Sequence, residues 1–230
     1  MKTLWTFGDS FTFGWGLVEH KWHTEAAKRY LDEYVDSSKD KPWPNLLADK
    51  LNVKLENHAE NGLSNYDIID RIIEQTPNIK KGDYVVVCKS FSGRMRFPIN
   101  ETEWELFTSG EILQTLEDKL DSHLIDLVGM EKFKTLIDYE YHFAHHPLYK
   151  QRQDKIINHL IYTLQEINEI SGSHITSINE LRPKDGIETV TNHTNWDIED
   201  YHPSVNGHRA IAKLIHSNLM KDRKSTRLNS

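Results

Sequence analysis

The chain has 230 residues, a length that suits a single α/β domain with one core. Its 28 basic against 35 acidic residues leave a net charge of -7, and Lys and Arg cluster only at the extreme C-terminus. That balance argues against a nucleic-acid or anionic-membrane partner. One cysteine, Cys88, excludes an internal disulfide. No stretch approaches the ~18–20 consecutive apolar residues of a membrane-spanning helix, and residues 1–8 lack the apolar core of an export signal. The expectation is a soluble, cytoplasmic protein without a membrane span; the oligomeric state is left open.

Lys2 to Phe7, rich in Thr, Leu, Trp and Phe and ending at a glycine, predicts a first buried strand. Glu25 to Val35 has helical periodicity and runs into the polar stretch Asp36 to Lys41, a loop. Pro44 suits a first helical turn ahead of Leu46, Leu47 and Leu51, and Val53 to His58 predicts a second strand. Ile68, Ile69, Ile72 and Ile73 share a helix face that begins near Asn65, a good N-cap residue type. Tyr84 to Cys88 is a continuous β-branched and aromatic run, the pattern of a strand covered on both faces. Residues 100–149 are amphipathic and aromatic-rich without a clear strand, which predicts a helical insertion. Ile156 to Ile167 predicts a long helix, His174 to Ile178 a fourth strand, and Asn206 to Met220 a last helix.

Strand and helix thus alternate, which implies an α/β fold: a three-layer α/β/α sandwich around a parallel sheet. One domain is expected over residues 1–220. Residues 221–230 are polar, lack apolar periodicity and look like translated sequencing-adapter sequence, a frayed native tail being the alternative. Neither would carry function.

In open parallel sheets ligands gather at the carboxyl ends of strands. Gly8-Asp9-Ser10-Phe11 follows the first strand, and a serine released there by a glycine can expose its hydroxyl and offer its own N–H to an oxyanion. An ordinary turn in which Ser or Asp caps a helix uses the same residues. Near the other end, His202-Pro203 follows Glu199 and Asp200, either of which is placed to orient the imidazole as a general base requires. His20 with His23, and His142 with His145 and His146, have spacings a metal could use, but no Cys or carboxylate pattern completes a site, so no metal is expected.

Phe7-Gly8-Asp9-Ser10-Phe11-Thr12-Phe13-Gly14, Asn57 to Asn65, and Asp200-Tyr201-His202-Pro203 together resemble the SGNH, or GDSL-type, hydrolases over nearly the whole chain. The resemblance implies the flavodoxin-like SGNH fold and a serine esterase that needs no cofactor. It implies Ser10 as nucleophile, His202 as base, Asp200 as acid with Glu199 the alternative, and Gly62 as the second backbone oxyanion donor beside Ser10. The family's Gly-x-Asn-Asp block is absent here: the third strand runs into Lys89-Ser90-Phe91-Ser92-Gly93-Arg94. By position Ser92 stands in for the oxyanion-hole asparagine, and Arg94 is a further donor or a binder of an anionic or hydroxyl group, set against a solvated surface arginine. Asp9, Asn65, Arg94 and Trp15 are the substrate-side candidates. The substrate class implied is a small O-acyl or acetyl ester, carried by a small molecule or a carbohydrate. A catalytically reduced module that binds a glycan or acylated ligand, and an acyltransferase with the same triad, are the alternatives.

Overall fold

A computed structural model describes residues 1–15, 17, 25–91, 94–98, 104–108, 131, 135, 146–178, 187–190 and 202–228. Four strands, β1 (Thr3–Phe7), β2 (Lys54–Asn57), β3 (Tyr84–Cys88) and β6 (Gly172–Thr176), form one parallel sheet in the order β2-β1-β3-β6. The register pairs Leu4 with Leu55 on one side of β1 and with Tyr84 on the other, and Val86 of β3 with His174 of β6. Because every strand points the same way, the segments after β1, β2 and β3 emerge at one edge of the sheet. The chain leaves β1 toward β2 on one flank and returns to β3 on the other, so a topological switch point opens between β1 and β3.

Period-two alternation along the strands feeds two cores. Leu4, Tyr84 and Val86 face one layer, where they pack with Trp43 and Leu47 of α3 (Trp43–Leu51) and Ile211, Ile215 and Leu219 of α6 (Val205–Leu228). Trp5, Phe7, Val85 and Val87 face the other, against Ile68 and Ile72 of α4 (Asn65–Gln75) and Ile157, Ile161 and Leu164 of α5 (Pro147–Ile167). Each such fully buried aliphatic side chain contributes about 1.5–3 kcal/mol of transfer free energy. Helices therefore cover both faces of the sheet, the three-layer α/β arrangement expected. Two further helices, α1 (Ser10–Phe13) and α2 (Glu25–Tyr34), lie between β1 and α3 in the chain.

The structure departs from expectation at four places. The stretch read as purely helical contains β5 (Trp104–Thr108), which pairs antiparallel with β4 (Arg94–Pro98) to make a hairpin outside the main sheet. Five residues are too few for a period-two pattern to stand out from an amphipathic helix. The rest of that insertion lies almost wholly outside the described residues. Strand β6 starts at Gly172 rather than His174 because the backbone of Gly172 and Ser173 pairs with Tyr84 and Val85, a contact invisible to local pattern. Helix α4 is capped by Ser64, not Asn65: Ser64 and Asp67 form a reciprocal capping box. Helix α6 runs on to Leu228, past the end expected at Met220; a polar stretch holding Lys and Arg continues a helix without needing an apolar face. No described helix is long and apolar enough to cross a membrane.

Candidate functional site

At the end of β1, Gly8 lets the chain fold back on itself: a Cβ there would sit 2.2 Å from Thr12 Oγ1 and 2.7 Å from Thr12 Cβ. Asp9 then caps the short helix α1, its Oδ1 accepting from Phe11 N at 3.2 Å, while its carbonyl accepts from Thr12 N and Phe13 N at 2.9 Å each. Ser10 is the first residue of that helix, and Gly14, at φ 102°, ends it in the left-handed region. The helix-cap reading of Gly-Asp-Ser is thus true of Asp9, and it leaves the Ser10 hydroxyl free to point elsewhere.

The hydroxyl meets His202. Nε2 of the imidazole lies 2.9 Å from Ser10 Oγ, across 192 positions of sequence. The backbone around His202 is pinned by segment 187–190: Val190 N donates to His202 O at 2.9 Å, Ser204 N to Glu188 O at 3.0 Å, and Thr189 bridges Pro203. The rings of Phe11 and Trp15 flank the imidazole, with centroids 4.7 and 5.4 Å away. Trp15 is buried, with its ring against that of His202. A serine hydroxyl hydrogen-bonded to an imidazole over the end of a parallel sheet can pass its proton to that ring.

Segments after β1, β2 and β3 converge on the Ser10 turn. Glu60 N donates to Gly8 O at 3.3 Å, so the loop carrying Asn61 and Gly62 runs beside it. Gly62 adopts φ 81°, the left-handed conformation glycine favours. Both polar atoms of the Asn61 amide are buried and find no hydrogen-bond partner among the described residues.

Three of the substrate-side candidates turn out to be committed within the protein. Asp9, 1 % exposed, accepts from Ser90 Oγ at 2.9 Å and Arg94 Nη1 at 2.8 Å through Oδ2. Burial pushes its carboxyl pKa up, opposed by the Arg94 charge, the Ser90 and Phe11 hydrogen bonds and the nearby His202. Asn65 is a clamp rather than a cap or ligand: its Oδ1 accepts from Ser90 N at 2.7 Å, and Nδ2 donates to Ser90 O and Gln153 Oε1, both at 3.1 Å. Arg94 is not a solvated surface residue, since Nη1 also reaches Ser90 Oγ at 2.9 Å and Leu63 O at 3.4 Å. Composition and spacing gave no hint of these pairings, because most of the partners lie 25 to 88 positions apart in the chain. Ser92, Glu199 and Asp200 lie outside the described residues, as do His20, His23, His142 and His145. His146 uses Nδ1 to cap helix α5 by accepting from Leu148 N at 3.2 Å.

Sequence reasoning missed Ser90, Gln153, Asn61 and the part played by His208. His208 is fully buried, its Nδ1 accepts from Trp43 N at 3.2 Å, and burial holds its pKa down to about 3. Cys88 is likewise buried, which raises its thiol pKa far out of the reactive range. Among the described residues no group of three or more His, Cys, Asp or Glu could hold a metal ion.

No family model matches the chain, and no curated protein matches it. Among solved structures it is similar to a lipolytic protein of the G-D-S-L family from Desulfitobacterium hafniense DCB-2, at 13 % identity and TM-score 0.37 over 94 % of this chain and 99 % of that one. It is similar to a carbohydrate esterase whose active site is described as displaying divergent catalytic and non-catalytic binding functions, at 14 % identity and TM-score 0.41 over 95 % of this chain and 68 % of that one. A G-D-S-L lipolytic protein from Veillonella parvula DSM 2008 is similar at 13 % identity and TM-score 0.36, over 93 % and 95 %. With strand order β2-β1-β3-β6 and helices on both faces of the sheet, the chain has a three-layer α/β fold in which a serine opens the turn after β1 and a histidine stands ahead of the last helix.

Proposed function

We propose that the protein is a serine esterase that cleaves a small O-acyl or acetyl ester, on a small molecule or a carbohydrate. The observation that carries this reading is the 2.9 Å contact between Ser10 Oγ and His202 Nε2. In the proposed reaction His202 takes the Ser10 proton as Oγ attacks the ester carbonyl, then returns it to the departing alcohol. Water, deprotonated by the same imidazole, hydrolyses the acyl-enzyme and regenerates Ser10. Asp200 orients the imidazole through Nδ1, with Glu199 as the alternative acid. The N–H groups of Ser10 and Gly62, with the Ser92 side chain, receive the oxyanion; the first N–H groups of a helix have no partner within it, which leaves that of Ser10 available. No cofactor is needed for this chemistry.

The test is turnover of p-nitrophenyl acetate and butyrate by the protein beside Ser10→Ala and His202→Ala. Each substitution is expected to lower kcat by about 10⁴-fold or more, as removal of a triad member does elsewhere. Equal rates for the parent protein and Ser10→Ala overturn the reading.

A further inference from the structure

We infer that Arg94 is a positioning residue for Ser10, acting through the Asp9 carboxylate that caps the helix on which Ser10 stands. The inference rests on the serine-hydrolase reading above and adds a residue to it. Nη1 of Arg94 touches Asp9 Oδ2, Ser90 Oγ and Leu63 O, at 2.8, 2.9 and 3.4 Å. One nitrogen thereby ties together the segments that follow β1, β2 and β3. Ser90 Oγ donates to the same Asp9 oxygen at 2.9 Å, and the other Asp9 oxygen caps Phe11 N. The guanidinium also lies over the Phe91 ring, with Cζ 5.2 Å from its centroid.

A carboxylate 1 % exposed does not remain charged without a partner. Among the described residues the groups facing Asp9 are the Arg94 guanidinium, the Ser90 hydroxyl, the Phe11 N–H, the His202 imidazole and the Cys88 thiol. Of these only Arg94 carries a permanent positive charge. Without it Asp9 would take up a proton, and the charge-assisted cap on the turn bearing Ser10 would weaken to a neutral one. The stretch after β3 that lacks the Gly-x-Asn-Asp asparagine thus supplies the group that keeps the Ser10 turn in place. Arg94 opens strand β4, so the β4–β5 hairpin is anchored to the site by the same side chain.

The experiment follows the rate at which a fluorophosphonate labels Ser10, from pH 5 to 9, in the parent protein, Arg94→Gln, Arg94→Lys and Asp9→Asn/Arg94→Gln, with kcat and KM measured in parallel on p-nitrophenyl acetate. Arg94→Gln is expected to slow labelling and lower kcat by ~10–100-fold, the penalty of a displaced reacting group, with KM within about twofold. Its rate should fall off on the acid side at a higher pH than in the parent, and the double variant should lose that additional displacement. Arg94→Lys keeps the charge and should hold the acid limb near that of the parent, which preserves the test if Arg94→Gln fails to fold. Unchanged rates and superimposable profiles, a rise in KM alone, an acid limb displaced in Arg94→Lys, or a displacement that persists in the double variant each overturn the inference. A parent protein that does not label overturns the serine-hydrolase reading and this inference with it; a labelled parent with unaffected variants overturns the inference alone.

Discussion

Lowering the pH from 8 to 5 should cost this protein about 2 kcal/mol of stability through one residue, His208. The ring is fully buried, Nδ1 accepts from the N–H of Trp43 at the start of α3, and Nε2 has no partner among the described residues. The proton therefore sits on Nε2, and a second proton would have to displace the Trp43 hydrogen bond. Burial holds the native pKa to about 3, against 6.5 for an ordinary histidine. A depressed native pKa means that stability is fully present above the unfolded value and is lost as pH falls from 6.5 toward about 3. At 1.36 kcal/mol per unit over the ~1.5 units between the unfolded pKa and pH 5, the loss is about 2 kcal/mol. Because pH 5 lies above the native pKa, this size is set by the unfolded state. The assay is urea unfolding of the parent and His208→Asn at pH 5 and pH 8. Asparagine offers an acceptor but does not titrate, so it should lower stability at pH 8 and reduce the pH dependence by about 2 kcal/mol. Asp9 and His58, whose pKa values are also displaced, are common to both proteins and cancel in the difference. An equal change between the two pH values in both proteins refutes the argument.

Two further substitutions test how the site is held. Gly207→Ala would place a Cβ 2.1 Å from the carbonyl oxygen of Glu188, forcing α6 away from the segment that pins His202; a loss of ~3 kcal/mol or more in urea unfolding is expected, at or above the usual cost of overpacking. A loss below ~1 kcal/mol would mean that segment 187–190 yields readily. Asn65→Ala removes three hydrogen bonds and strands the buried N–H and C=O of Ser90, an expected cost of about 3 kcal/mol by the same assay. The proposed esterase activity should fall together with stability, since Ser90 also bonds Asp9; activity retained at full level would detach the Ser90 clamp from the Ser10 turn.

Periodicity and motif order were enough to read β3, the apolar faces of α4, α5 and α6, the strand end at which Ser10 emerges and the turn before the last helix that holds His202. Such features are local: a run such as Tyr84 to Cys88 reports its own burial, and a glycine before a serine reports a turn. Motif order also carried the expectation that two residues 192 positions apart would meet, which the sheet realises by bringing every strand end to one edge. What Asp9, Asn65 and Arg94 do was decided by the tertiary structure alone. Their residue types suit ligand contact and internal hydrogen bonding equally well. The choice depends on which acceptors and donors other segments leave unpaired: Asn65 finds the backbone of Ser90 and the side chain of Gln153, and Arg94 finds a carboxylate buried at the end of β1. Burying a polar group without a partner costs more than most single contacts contribute, so such groups are settled last and non-locally, by the packing that surrounds them.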